Sequence, residues 1–113
     1  IAEYTWAVIH GRPSFHISLV MDVSPFCDCH AENDAPIVPD VGMFASFDPV
    51  ALDLACADAV NRQPVLAGSY LSEKEQVHHD HFTDTHPTTN WKSCIEHGVK
   101  MGLGSDQYEL IEI

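Results

Sequence analysis

Two cysteines one residue apart, Cys27-Asp28-Cys29, followed directly by His30, give the sharpest chemical signal in this 113-residue sequence. In an extended stretch, residues two apart project from the same face about 6.7 Å apart along the chain. A tetrahedral zinc ion with Zn–S bonds of about 2.3 Å needs its sulfurs roughly 3.8 Å apart, so the pair can share an ion only where the backbone bends. A disulfide between them would close a very small, strained ring. His79-x-His81 repeats the spacing with nitrogen donors, and His78 adds another imidazole. If the two loops meet, Cys27, Cys29, His79 and His81 form a Cys₂His₂ set with His30 in reserve. The expected metal ligands are therefore Cys27, Cys29, His30, His79 and His81, and the expected ion is zinc or iron. The competing reading is that the histidine-rich loop is simply solvated.

Asp22, Asp28, Glu32, Asp34 and Asp40 surround the cysteine pair. They could supply oxygen ligands or hold imidazole rings, but their spacing matches no EF-hand, and solvated loop carboxylates are the better reading. The sequence contains no G-x-G-x-x-G, phosphate-binding loop, G-x-S-x-G elbow or H-E-x-x-H. Cys27 near His30 could be a nucleophile and base, yet no oxyanion motif accompanies them. Cys56 and Cys94 lie in helical apolar patterns, where a thiol is ordinarily inert.

The elements that must position these residues follow from periodicity. Ile1, Tyr4, Ala7 and Val8 fall at helical spacing, and Gly11 and Pro13 end that helix. Phe15 to Val23 is a near-continuous apolar run, predicting a strand covered on both faces. Ser24 to Asp40, with Pro25, Pro36 and Pro39, is a long loop of the kind that is usually functional or disordered. Val41 to Phe47 predicts a second strand. Asp48 then suits an N-cap and Pro49 the first helical position, predicting a helix to about Asn61 with Val50, Leu54, Ala57 and Val60 buried. The span from Gln63 to Thr89 is the least regular. Thr89 or Asn90 can cap a further helix to Met101, stopped by Gly102 and Gly104. Tyr108 to Ile113 alternates like a half-buried third strand. The expected fold class is α/β: a small layered mixed sheet of about three strands with flanking helices, either one domain or a fragment of a larger one.

Composition narrows the function classes. Seventeen acidic and five basic residues give a formal charge of −12, which repels phosphate backbones and makes nucleic acid an improbable partner. No apolar run is long enough to span a bilayer, so no membrane partner is expected. Without a visible secretory signal, a cytoplasmic location with reduced thiols is expected. The sequence opens on a helix in progress without an initiating Met, as a piece of a longer chain would.

The segment from Asp22 through Cys27-Asp28-Cys29 to Asp34-Ala35-Pro36-Ile37-Val38-Pro39-Asp40-Val41-Gly42 resembles a family of uncharacterised iron–sulfur centre proteins. Ala45-Ser46-Phe47-Asp48-Pro49-Val50-Ala51-Leu52-Asp53 is similar to that family's helix entry, and Gly102-Leu103-Gly104 with Tyr108-Glu109-Leu110-Ile111 to its C-terminal end. The resemblance implies a longer protein whose ferredoxin-like segment, upstream of Ile1, holds [4Fe–4S] clusters on Cys-x-x-Cys repeats. None of those repeats occurs here. It also implies that the partner is the rest of the same protein or a redox protein. Three functions stay open: a metal-binding or redox-associated domain of an iron–sulfur protein, a non-catalytic interaction module with incidental Cys and His, and a thiol-dependent enzyme.

Overall fold

In the computed structural model, which describes residues 1–113, the first element is helix α1 over Ala2–Ile9. The expected stripe of Ile1, Tyr4, Ala7 and Val8 lies exposed, and Ala2 is the buried member of the helix. Two apolar sets share one helical period here, and the set containing the small Ala2 side chain allows close packing. α1 packs on helix α4 (Lys92–Met101), with His97 Nε2 3.2 Å from Glu3 Oε1.

Strands β1 (His16–Val20) and β2 (Gly42–Ser46) pair antiparallel as a two-stranded sheet. The expected third strand is absent. Tyr108–Ile113 runs on without strand pairing, leaving Leu110, Ile111 and Ile113 exposed. Alternation is necessary for a strand but not sufficient, because the backbone groups also need a neighbouring edge. The expectation that the first strand is covered on both faces also fails. Phe15, Ile17 and Leu19 point to open surface, while His16, Ser18 and Val20 are at least partly covered.

Helix α2 spans Pro49–Asn61 and starts as the sequence predicts. Asp48 Oδ1 accepts hydrogen bonds from the N–H groups of Val50 and Ala51, both at 2.9 Å. Its Oδ2 accepts from Ser105 N–H at 2.8 Å, so one carboxylate both starts α2 and fixes the chain after α4. Of the expected stripe, Val50, Ala57 and Val60 are buried and Leu54 only partly so, while Ala51, Leu52, Ala55 and Ala59 are buried as well. Four of the buried residues are alanines, whose size lets neighbours close in around most of the helix.

Between α2 and α4, the irregular region contains a 3₁₀ turn at Leu71–Glu73 and the short helix α3 at His81–Thr85. α4 ends on Gly102, which takes the left-handed conformation at φ 76° as a helix C-cap glycine does. The chain divides into two compact units, Ile1–Leu19 with Met43–Ala57 and Trp91–Ile113, and Val20–Gly42 with Asp58–Asn90. The core of the first holds Ala2, Val50, Ala51, Leu52, Ala55 and Ala57; that of the second holds Val20, Ile37, Val38, Ala59, Val60 and Leu71. No helix is long and apolar enough to cross a membrane.

Candidate functional site

The long loop after β1 is closed at its base by two backbone ties. Ile37 N–H donates to Val23 C=O at 2.8 Å, and Val41 N–H to Val20 C=O at 2.8 Å. Asp22, in the left-handed region at φ 51°, donates its N–H to Asp40 Oδ1 at 2.8 Å. Ile37 and Val38 are buried, so the returning limb of the loop is anchored in the core of its unit.

Asn33 holds the interior of the loop. Its Nδ2 donates to Ser24 Oγ at 2.8 Å and to Phe26 C=O at 3.3 Å, and its Oδ1 accepts from Phe26 N–H and Asp34 N–H. A side-chain amide uses its donors and acceptor together here, mimicking a strand neighbour. Phe26 lies against Tyr70 and His86, with ring centroids 5.1 and 5.8 Å away, and His86 Nε2–H donates to Pro25 C=O at 2.6 Å. The segment just before the cysteines is thereby fixed from both sides.

The cysteine pair stands on this support. His30 N–H donates to Cys27 C=O at 2.9 Å, closing a turn around Asp28 and Cys29. The turn supplies the bend that the one-residue spacing requires. Cys29 N–H donates to Cys27 Sγ at 3.4 Å. Both thiols are exposed and unbridged. The Cys29 thiol, and then the Cys29 N–H, lower the Cys27 pKa below the ordinary thiol value. Cys29 is raised, by Cys27 first. The pair thus holds one proton more loosely than the other, which suits a nucleophilic thiolate or a soft-metal ligand.

The remaining candidates do not join them. The His30 ring lies 5.8 Å from the Phe26 ring. His79 is exposed in a left-handed conformation at φ 53°. His81 has its ring occupied, with Nε2–H donating to Gln63 C=O at 2.9 Å. No group of three or more His, Cys, Asp or Glu side chains is placed to hold a metal ion. Cys27, Cys29, His79 and His81 therefore do not form a four-ligand set in this arrangement. A [4Fe–4S] cluster takes four thiolates. Two of this chain's thiols stand in the loop, while Cys56 lies on α2 and Cys94 on α4, both partly covered.

One further pairing ties the chain before α3 to that helix. His78 Nδ1–H donates to Asp84 Oδ1 at 2.8 Å, and the same oxygen accepts His78 N–H at 3.0 Å. Burial alone would raise the Asp84 pKa, but the hydrogen bonds from His78 and Asp80 outweigh it and the net shift is downward. The other oxygen, Oδ2, is buried with no partner. The six-residue separation with an intervening cap carries no sequence signature.

The family described as a domain of unknown function, DUF362, matches residues 1–58. That segment includes the whole Cys27–Cys29 loop and ends inside α2; His79 and His81 lie outside it. No curated protein and no solved structure matches the chain. With just over half of its length matched, and with the supported cysteine loop inside the matched half, this chain belongs to the DUF362 family.

Proposed function

We propose that this chain is a metal-binding or redox-associated part of an iron–sulfur protein, and that Cys27 and Cys29 are its working residues. The observation that carries the reading is the hydrogen bonding at sulfur. Cys27 Sγ accepts the Cys29 N–H at 3.4 Å at the exposed tip of a loop whose backbone is tied at its base and through Asn33. Hydrogen bonds to sulfur stabilise the thiolate and tune soft-metal and cluster sites. Two thiolates give half of a tetrahedral zinc or iron site, and the remaining positions would be filled by water, a ligand or groups from other polypeptide. Cluster ligands, on the family resemblance, belong to sequence other than these 113 residues, in the cytoplasm or another reducing compartment.

Titration with Zn²⁺ and Fe²⁺ under reducing conditions tests this. The wild-type chain binds one ion, and the Cys27→Ser/Cys29→Ser variant loses it, because hydroxyls are poor ligands for a borderline-soft ion. Cys56→Ser/Cys94→Ser retains it. Equal binding by the wild type and the Cys27/Cys29 variant would overturn the reading and leave an interaction module with incidental thiols.

A further inference from the structure

The sheet of the first unit is amphipathic the wrong way round. Its covered face carries His16, Ser18, Val20, Phe44 and Ser46, three of the five polar. That face serves α2: burial raises the Cys56 thiol pKa against an opposing Ser18 hydrogen bond, and raises the Asp53 carboxyl pKa, with nearby His16 only partly offsetting it. The open face carries Phe15, Ile17, Leu19, Met43, Ala45 and Phe47, without one ionisable group. The Phe15 and Phe47 rings meet edge to face at 4.9 Å, which puts the two strands' apolar sets on the same side. Because strand side chains alternate, a solvent-facing set should be the polar one.

The size of the face says what would cover it. Phe15, Ile17, Leu19, Met43 and Phe47 are 54, 61, 62, 69 and 78% exposed. At about 200 Å² per large apolar side chain, they expose on the order of 600 Å², the upper end for the largest patch on a monomer. Two such faces together would bury about 1,200 Å², the lower edge of a specific protein–protein interface. A two-stranded sheet is marginal until a face or further strand covers it. A charge-free apolar face holds no like charges that would oppose its own copy across a two-fold contact.

We propose that two copies of this chain associate through these faces, sheet against sheet, making a two-fold dimer with a dry apolar centre. The contact uses none of the thiol loop, so it stands or falls independently of metal binding. The formal charge of −12 on each copy opposes approach at long range, so the dimer strengthens as salt screens it.

Sedimentation velocity on the whole 113-residue chain tests the proposal over about 1 to 200 µM, the range in which a small apolar interface associates. The dimer fraction should rise with concentration. Phe47→Glu and Ile17→Glu should each weaken it at least about tenfold, since burying an unpaired charge is strongly unfavourable. Both side chains are exposed in the single chain, so far-UV circular dichroism should stay unchanged. Phe47→Ser gives a milder variant should either glutamate unfold the protein. Val77→Glu, an equal charge change at an exposed site in the other unit, should leave the dimer intact. A wild type that stays monomeric throughout overturns the proposal. So does a dimer indifferent to Phe47→Glu and Ile17→Glu, or one equally weakened by Val77→Glu.

Discussion

At the residue scale, the chemistry of Cys27 depends on what Cys29 gives it. Its pKa is depressed by the Cys29 thiol first and the Cys29 N–H second, whereas burial pushes Cys56 upward. As pH rises, Cys27 should therefore become reactive earlier than an ordinary thiol and well before Cys56. Iodoacetamide labelling followed by peptide mass spectrometry across pH 6–10 reads this, and Cys29→Ala should move the Cys27 profile upward. Coincident profiles for Cys27 and Cys56 would contradict it. Asp84 makes the second residue-scale case. Asp84→Asn removes the charge from two hydrogen bonds to His78 beside an oxygen with no partner, and should cost about 1–3 kcal/mol in urea unfolding at pH 7. Because the folded pKa is depressed, its stabilisation is complete above the ordinary aspartate value and is lost as pH falls through the lower, folded one. The variant's deficit should therefore shrink in strongly acidic buffer. The cysteine pair was legible in the sequence because its geometry is local: spacing of one residue in a loop rich in turn formers. The grip of Asn33 and the capture of His81 by the Gln63 carbonyl were not, because each depends on how distant segments come to rest.

At the scale of elements, Asp48 shows how much one readable residue can carry. The Asp-Pro pair announced the start of α2, but only the structure reveals that the second oxygen also receives Ser105 N–H. Asp48→Ala should cost about 1–2 kcal/mol for the cap alone, and more once the Ser105 N–H is left open. Gly104 makes the complementary argument. A Cβ there would meet the Asp48 carboxylate and come within 2.9 Å of Val50 Cβ. Gly104→Ala should displace the cap and destabilise by about 1–3 kcal/mol through overpacking. Thermal melts of the two single variants and the double variant check both claims, since a shared site predicts that their losses do not add. The helix at 49–61 is visible from its cap and period and that at 92–101 from its period and Gly102, although its N-cap is Trp91, without a side-chain bond, rather than Thr89 or Asn90. The tail alternates yet forms no strand, because alternation describes a strand's faces but not its neighbours. The α1 stripe was misplaced because two apolar sets compete on one short helix.

At the scale of the whole molecule, charge is the dominant fact. Seventeen acidic residues face five basic ones, so most carboxylates cannot find a cationic partner, and the folded chain concentrates a formal −12 that the unfolded chain would spread out. Such self-repulsion destabilises the compact state, and mobile ions relieve it. The Debye length falls from about 30 Å at 0.01 M to about 3 Å at 1 M, shorter than the distance between most surface charges. Raising KCl across that range should therefore raise Tm, by about 4–8 °C for each 1 kcal/mol of relief in a domain near this size. Low-micromolar protein, together with the Phe47→Glu variant, separates relief within one chain from salt-promoted association, since the variant cannot gain from a buried sheet face. The same upward shift in both proteins points to intramolecular repulsion. A shift confined to the wild type points to the sheet-on-sheet contact instead, and a Tm that falls with salt would mean that the ion pairs present outweigh the excess of carboxylates.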